Sequence, residues 1–187
     1  MRKKITTKWL RKIGACQEAV EAFAAQKETD PVKVLQVLLK KRPDWGNWLI
    51  TRLMGYKQYV AYAIYAAEQV IEIFEKRNPG DKRPREAIEA AKRCLKNPDK
   101  KNKAASYAAA DAAFAATSAA DAAFAATSAD AAASAAYAAT SAADAAFAAY
   151  AAASYAADTA ADASAGARQT LQRKILAYGF KLYIREG

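Results

Sequence analysis

Residues 111–129 read DAAFAATSAADAAFAATSA, and DAAFAA returns at Asp144. The repeat lies in a tract from Ala104 to Ala167 that holds 39 of the 52 Ala in a chain of 187 residues. Neither Gly nor Pro occurs between Ala104 and Ala165. Ala has the highest helix propensity of any residue, so the tract is read as helix. A single rod of this length would span roughly 95 Å at 1.5 Å per residue, too long for one small domain. Breaks are therefore expected. Ser118-Ala-Ala-Asp121 and Ser141-Ala-Ala-Asp144 have capping-box spacing, with Asp in place of Glu, and Ser128 before Asp130 is a further candidate.

Methyl side chains let two helix axes approach to the short end of the usual 8–10 Å range. Each buried Ala side chain contributes only about 0.8 kcal/mol but loses no rotamer entropy. The tract thus predicts a thin, closely spaced bundle. Phe114, Phe124, Tyr137, Phe147, Tyr150 and Tyr155 are its sparse large wedges.

Upstream, apolar residues recur at helical spacing. Trp9, Ile13, Cys16, Val20 and Phe23 form one stripe, with Thr6 or Thr7 as cap and Gly14 as a possible break. Asp30-Pro31 is an N-cap followed by Pro at the first helical position. That helix stops before Pro43, and Asp44 caps a short one that Gly55 ends. Val60, Ile64, Ala67, Ile71 and Phe74 form a heptad seam on a helix expected from Lys57 to Lys76. After the Asn78-Pro79-Gly80-Asp81 turn, Pro84 opens a helix that buries Ala87, Ile88, Ala91 and Leu95. Lys100–Lys103 is read as a basic hinge. A last helix from about Arg168 turns Leu171, Ile175, Tyr178 and Leu182 inward. The expectation is an all-α protein: short amphipathic helices over residues 1–56, then residues 57–187 with the Ala-rich tract 104–167 and a closing helix.

The 53% hydrophobic content is mostly Ala; without it about a quarter of the chain is apolar. Seven Gly and five Pro leave few β-turn signals, which argues against a sandwich, a barrel or a Rossmann sheet. His is absent, removing the commonest general base and zinc ligand. Cys16 and Cys94 form no CxxC pair and read as buried thiols in a reducing compartment. The opening MRKKITTKWLRK has no apolar run behind it and does not read as a signal peptide. Six Asp interrupt the Ala tract, each costing about 2.5–3.5 kcal/mol at a bilayer centre. A soluble, cytoplasmic protein with no membrane span is expected.

The net charge of +10 is unevenly spread. Residues 1–103 carry 24 Lys/Arg against 12 Asp/Glu, whereas residues 104–167 carry six Asp and no basic group. The acidic tract can dock on the basic segments, or the basic surface can seek an acidic partner.

YVAYAIYAAEQVIEIFEKRNPGDKRPREAIEAAKRCL (59–95), followed by the Ala tract and LQRKILAYGFKL (171–182), resembles the Imm-5-like family of immunity proteins. That family has bacterial members and related phage forms. GDKRPREAIEAA at Gly80–Ala91 is its most specific piece here, and KWLRKIGACQEAVEAF (8–23) looks like the N-terminal module of phage-type members. Relatives often place Arg among the alanines, whereas this tract has none. The resemblance implies an all-α, non-enzymatic, inhibitor-like protein and supplies no catalytic residues.

Candidate partner-binding residues are Lys82, Arg83 and Arg85, three cations at a helix N-terminus where anions are favoured. The commoner meaning of such a cluster is structural, with Arg83 and Arg85 paired to Glu86, Glu89 or the Asp of the tract. Arg52 and Lys57 stand among Trp45, Trp48, Tyr56, Tyr59, Tyr62 and Tyr65, a possible stacking platform for single-stranded nucleic acid. At helical spacing such aromatics are more often core. The Asp spacings of 10, 9, 14, 14 and 4 do not converge on a metal, and Glu68, Glu72 and Glu75 read as a solvated face. Thr117, Thr127, Thr140 and Thr159 point in four directions at 100° per residue, which disfavours an ice-binding row. The sequence therefore points to binding rather than chemistry, without catalytic residues, metal or cofactor. The expected activity is immunity-like or anti-defence inhibition that occludes a protein partner. Nucleic-acid binding is the alternative and ice binding a lesser one; self-association through Ala-rich faces is compatible with all three.

Overall fold

A computed structural model describes residues 4–119, 123–139, 148, 150–153, 155–156 and 165–185. All regular structure among them is helical. The helices are α1 (Thr7–Lys12), α2 (Gln17–Gln26), α3 (Pro31–Lys41), α4 (Pro43–Leu53) and α5 (Tyr56–Glu68). They continue as α6 (Ile71–Arg77), α7 (Arg83–Lys96), α8 (Lys100–Ala119), α9 (Ala123–Ala138) and α10 (Ala165–Arg185). No described helix is long and apolar enough to cross a membrane.

The expected local signals set most boundaries. Thr6 Oγ1 accepts the Trp9 N–H at 3.2 Å and starts α1. Gly14 adopts φ +80°, a left-handed conformation open to Gly at little cost, and separates α1 from α2. Asp30 Oδ1 accepts the N–H groups of Val32 and Lys33, with Pro31 at the first helical position.

Other boundaries differ from expectation. The helix at Pro43 begins after Arg42, placing Asp44 inside its first turn. Met54 ends α4, whereas Gly55 opens α5 and donates its N–H to Gln58 Oε1 at 2.8 Å. The long helix expected over 57–76 is two. The Gln69 and Val70 N–H groups reach back only three residues, to the Ala66 and Ala67 carbonyls, and the chain restarts at Ile71. The seam crosses the break intact: Val60, Ile64, Ala67, Ile71 and Phe74 are all buried. Lys100–Lys103 is no hinge but the first turn of α8, capped by Asp99 Oδ1 on the Asn102 N–H.

The Ala tract doubles back. Helix α8 ends at Ala119, α9 starts at Ala123, and the two pack together. Of the expected break at Ser118–Asp121, residues 120–122 lie outside the described residues. Helix α9 continues past Ser128, so no break falls there, and Ser141–Asp144 lies outside the described residues. Helix α9 packs against α5, α6, α7 and α8. Ala129, Ala131, Ala132, Ala133, Ala135, Ala136 and Ala138 are all completely buried. A helix apolar all round belongs in an interior, and α9 is the central shaft of the bundle.

On the other side, α10 packs against α3, α4 and α5. Two glycines permit the approach. A Cβ at Gly46 would stand 2.5 Å from Leu176 Cδ2, and one at Gly179 would stand 2.6 Å from the Tyr62 ring. Ile175, Leu176 and Tyr183 are the buried residues of α10. Leu171, Tyr178 and Leu182, expected to face inward, are partly buried and pack against the same core.

Candidate partner-binding surface

The Lys82–Arg85 cluster is largely neutralised by its own neighbourhood. Arg83 donates Nε to Asp81 Oδ1 at 2.9 Å and Nη2 to Asp81 Oδ2 at 2.5 Å. Arg85 forms the same fork with Glu75, at 2.7 and 2.6 Å. Hydrogen bonds from these guanidinium groups hold the Asp81 and Glu75 carboxyls below their ordinary pKa range. Among the described residues the acceptors are Asp81 and Glu75, not the expected Glu86 or Glu89; four of the six tract Asp lie outside the described residues. Asp81 is set two residues before Arg83 by the turn, and the same turn brings Arg85, at the start of α7, back to Glu75, ten residues earlier near the end of α6. Lys82 is exposed and makes no ion pair among the described residues.

Arg52 is half-buried on α4. Its Nη1 donates to the Trp48 carbonyl at 2.8 Å and to Thr51 Oγ1 at 3.3 Å. The guanidinium carbon lies 4.1 Å from the Trp48 ring centre and 5.8 Å from that of Tyr150. Burial depresses its pKa. Arg52 thus anchors α4 rather than reaching outward.

The aromatic platform does not assemble. Tyr62 is fully buried and donates its hydroxyl to Asn47 Oδ1 at 2.7 Å. Tyr59 is buried. Tyr65 is stacked on Tyr178 with centroids 3.9 Å apart. Arg42 covers Trp45 at 3.6 Å, and Arg52 covers Trp48. Tyr56 turns inward: its hydroxyl donates to the Ala139 carbonyl at 2.6 Å, which also accepts the Cys94 thiol at 3.0 Å. Cys94 is therefore the buried thiol that was expected, whereas Cys16 is exposed, because it precedes α2 at the helix end.

Lys57 is exposed in the first turn of α5, and it has company that the sequence pattern did not single out. Lys103 Nζ lies 5.9 Å from the centre of the Tyr56 ring, which places the start of α8 beside the start of α5. The Tyr56 hydroxyl is 3.5 Å from Cys94 Sγ, which places the last turn of α7 there too. Arg93 and Lys96 line a small cleft with Ala61 and Tyr65, one and two turns beyond Lys57 on α5. Asn97–Asp99 alone separates Lys96 from Lys100. Lys57, Arg93, Lys96, Lys100, Lys101 and Lys103 thus stand in the terminal turns of three helices whose ends meet around Tyr56. None of these six forms an ion pair among the described residues. Sequence spacing could not show this, because the six come from three elements.

An apolar groove of about 650 Å³ also runs between α2 and the α3–α4 pair, lined by Phe23, Val34, Leu38, Trp45 and Trp48. Among the described residues no group of Cys, Asp and Glu side chains is placed to hold a metal ion. Asp111 accepts the Tyr137 hydroxyl.

An all-α bundle around an alanine shaft, with charge rather than a reactive constellation at its described surface, is the class of protein that the geometry defines. The family model of the Imm-5 like putative immunity protein matches residues 52–178, more than half of the chain, and the chain belongs to that family. The matched segment begins at the end of α4 and runs through α5–α9 into α10. No curated protein and no solved structure matches the chain.

Proposed function

We propose that this is a non-catalytic, cytoplasmic immunity-like or anti-defence protein that neutralises a protein partner by binding and covering its working surface. Family membership over residues 52–178 is the observation that carries this reading. The architecture supports it: α5–α9 form a continuous packed body whose described surface carries ion pairs and a group of cations without one. Occlusion needs a stable surface and no chemistry.

The test is co-expression with the product of the neighbouring gene. Restored growth, together with a stoichiometric complex by size-exclusion chromatography with light scattering, is expected. Absence of both, or consumption of a small molecule by the purified chain, would overturn the reading.

Nucleic-acid binding is the second reading, and the junction of unpaired cations is the observation in its favour. It predicts an affinity that falls steeply with salt. Against it, the aromatic faces needed for stacking on single strands are covered at Trp45, Trp48 and Tyr65.

A further inference from the structure

We infer that the junction of α5, α7 and α8 is the docking face for the partner, and that the partner presents an acidic protein surface there. The inference rests on the immunity reading and names where and by what chemistry it acts.

The first support is the contrast in pairing. Arg42, Arg83, Arg85 and Lys92 each have a carboxylate within 3.3 Å. Lys57, Arg93, Lys96, Lys100, Lys101 and Lys103, in the terminal turns of three helices that meet around Tyr56, have none among the described residues. All but Lys103 are exposed. Glu68 and Glu89, the carboxylates nearest to Arg93 in the cleft, are already engaged by Lys92, each at 2.7 Å. Asp99 is engaged at both oxygens, by the Asn97 amide and the Asn102 N–H.

The second support is placement. Arg93 and Lys96 lie in the last turn of α7, where cations suit the helix dipole and need no partner. Lys100, Lys101 and Lys103 lie in the first turn of α8, which holds no acidic residue. There the dipole opposes them. Packing does not require four-carbon amines at Lys100 or Lys101, since both are exposed. Lys57, Lys100 and Lys101, exposed cations with like-charged neighbours and no ion pair among the described residues, fit an opposite charge supplied from outside.

The third support selects protein over single-stranded nucleic acid. The aromatics near the junction are already engaged with other rings: Tyr56 commits its hydroxyl to the Ala139 carbonyl and meets Tyr59 edge to face at 5.7 Å, Tyr65 is stacked on Tyr178, and Tyr107, exposed one turn after Lys103 on α8, meets Tyr137 edge to face at 5.3 Å. Cations among rings that already have partners suit carboxylates better than bases.

The experiment compares the full chain with two fourfold charge reversals. One carries Lys57→Glu, Lys96→Glu, Lys100→Glu and Lys101→Glu. The other carries Lys4→Glu, Lys8→Glu, Arg11→Glu and Lys12→Glu, an equal change of net charge on exposed residues around α1. Circular dichroism establishes that both fold. Binding of a fluorescent polyglutamate peptide and of a single-stranded oligonucleotide of matching charge is measured by anisotropy at low and physiological salt. Polyglutamate is expected to bind the natural chain more tightly than the oligonucleotide does. The junction variant should weaken it by about tenfold or more, and the α1 variant by far less. Equal loss in both variants, no loss in the junction variant, or tighter oligonucleotide binding would overturn the inference. The co-expression assay separates the two levels. Rescue that survives junction reversal sinks the docking face and leaves the immunity reading, whereas junction-specific polyglutamate binding in a chain that rescues nothing does the reverse.

Discussion

The Tyr62 hydroxyl donates to Asn47 Oδ1 at 2.7 Å inside the protein, joining α5 to α4. Asn47 lies five residues ahead of the matched family segment, so this bond ties that segment to the helices before it. Gln58 does the same toward the other end, donating Nε2 to the Leu182 carbonyl at 2.9 Å.

Replacing Tyr62 by Phe removes this bond to a buried amide oxygen. The expected cost is about 1–3 kcal/mol, read as a lower urea midpoint at unchanged slope. Burial holds the Tyr62 pKa well above that of a free phenol, so the bond persists through the whole physiological range.

Gly179→Ala and Gly46→Ala should separate, although both residues lie in helices. At Gly179 the new methyl meets the ring of a fully buried tyrosine, which has nowhere to move. About 1–3 kcal/mol of destabilisation is expected there. At Gly46 it meets the far end of Leu176, which can turn aside at some cost, and Ala recovers up to about 1 kcal/mol of helix propensity. Thermal melts of the two variants check the order; equal shifts would contradict it.

The Arg85–Glu75 fork makes stability fall with acid. Its hydrogen bonds lower the Glu75 pKa, so the contribution is complete above the ordinary carboxylate pKa and is lost as pH falls through the depressed one. Both side chains are more than a third exposed, so screening keeps the effect to about 0.5 kcal/mol. Glu75→Gln should flatten that part of the stability–pH curve by this amount.

The two thiols should react differently. Cys16 is exposed, whereas Cys94 is buried against the Ala139 carbonyl. A chromogenic disulfide reagent should titrate one thiol quickly in the folded chain and both in denaturant. Cys16→Ser should abolish the fast phase.

Ala132→Leu inside the shaft should cost about 1–3 kcal/mol, because α9 is enclosed on all sides and cannot widen without moving its neighbours. The same change at Ala104, exposed on α8, should alter the urea midpoint little.

The helical class was legible because Ala propensity and apolar spacing agreed, and the caps at Thr6 and Asp30 were legible because each acts within three residues. The seam from Val60 to Phe74 was read correctly as a buried face but not as two helices. Nothing in the residues at Gln69 and Val70 signals a stop; the tighter turn is set by packing around α9. The candidate surface was less legible. Lys57 was found by its charge, but its companions on α7 and α8 became neighbours only through tertiary contact. Arg83 and Arg85 looked free because Glu75 lies a helix away from Arg85, and because the turn that folds Asp81 onto Arg83 leaves no periodic trace.

Over residues 129–138 helix α9 offers its neighbours mostly methyl groups and one large side chain, Tyr137, whose hydroxyl donates to Asp111. Its position is keyed instead by a few polar latches: Ser106 Oγ on the Ala136 carbonyl at 2.9 Å, and Tyr56 with Cys94 on that of Ala139. Among the described residues these latches sit near one end of the axle, which slips more readily if they are filed away. Ser106→Ala combined with Tyr56→Phe would then leave helicity intact while loosening how the pieces mesh.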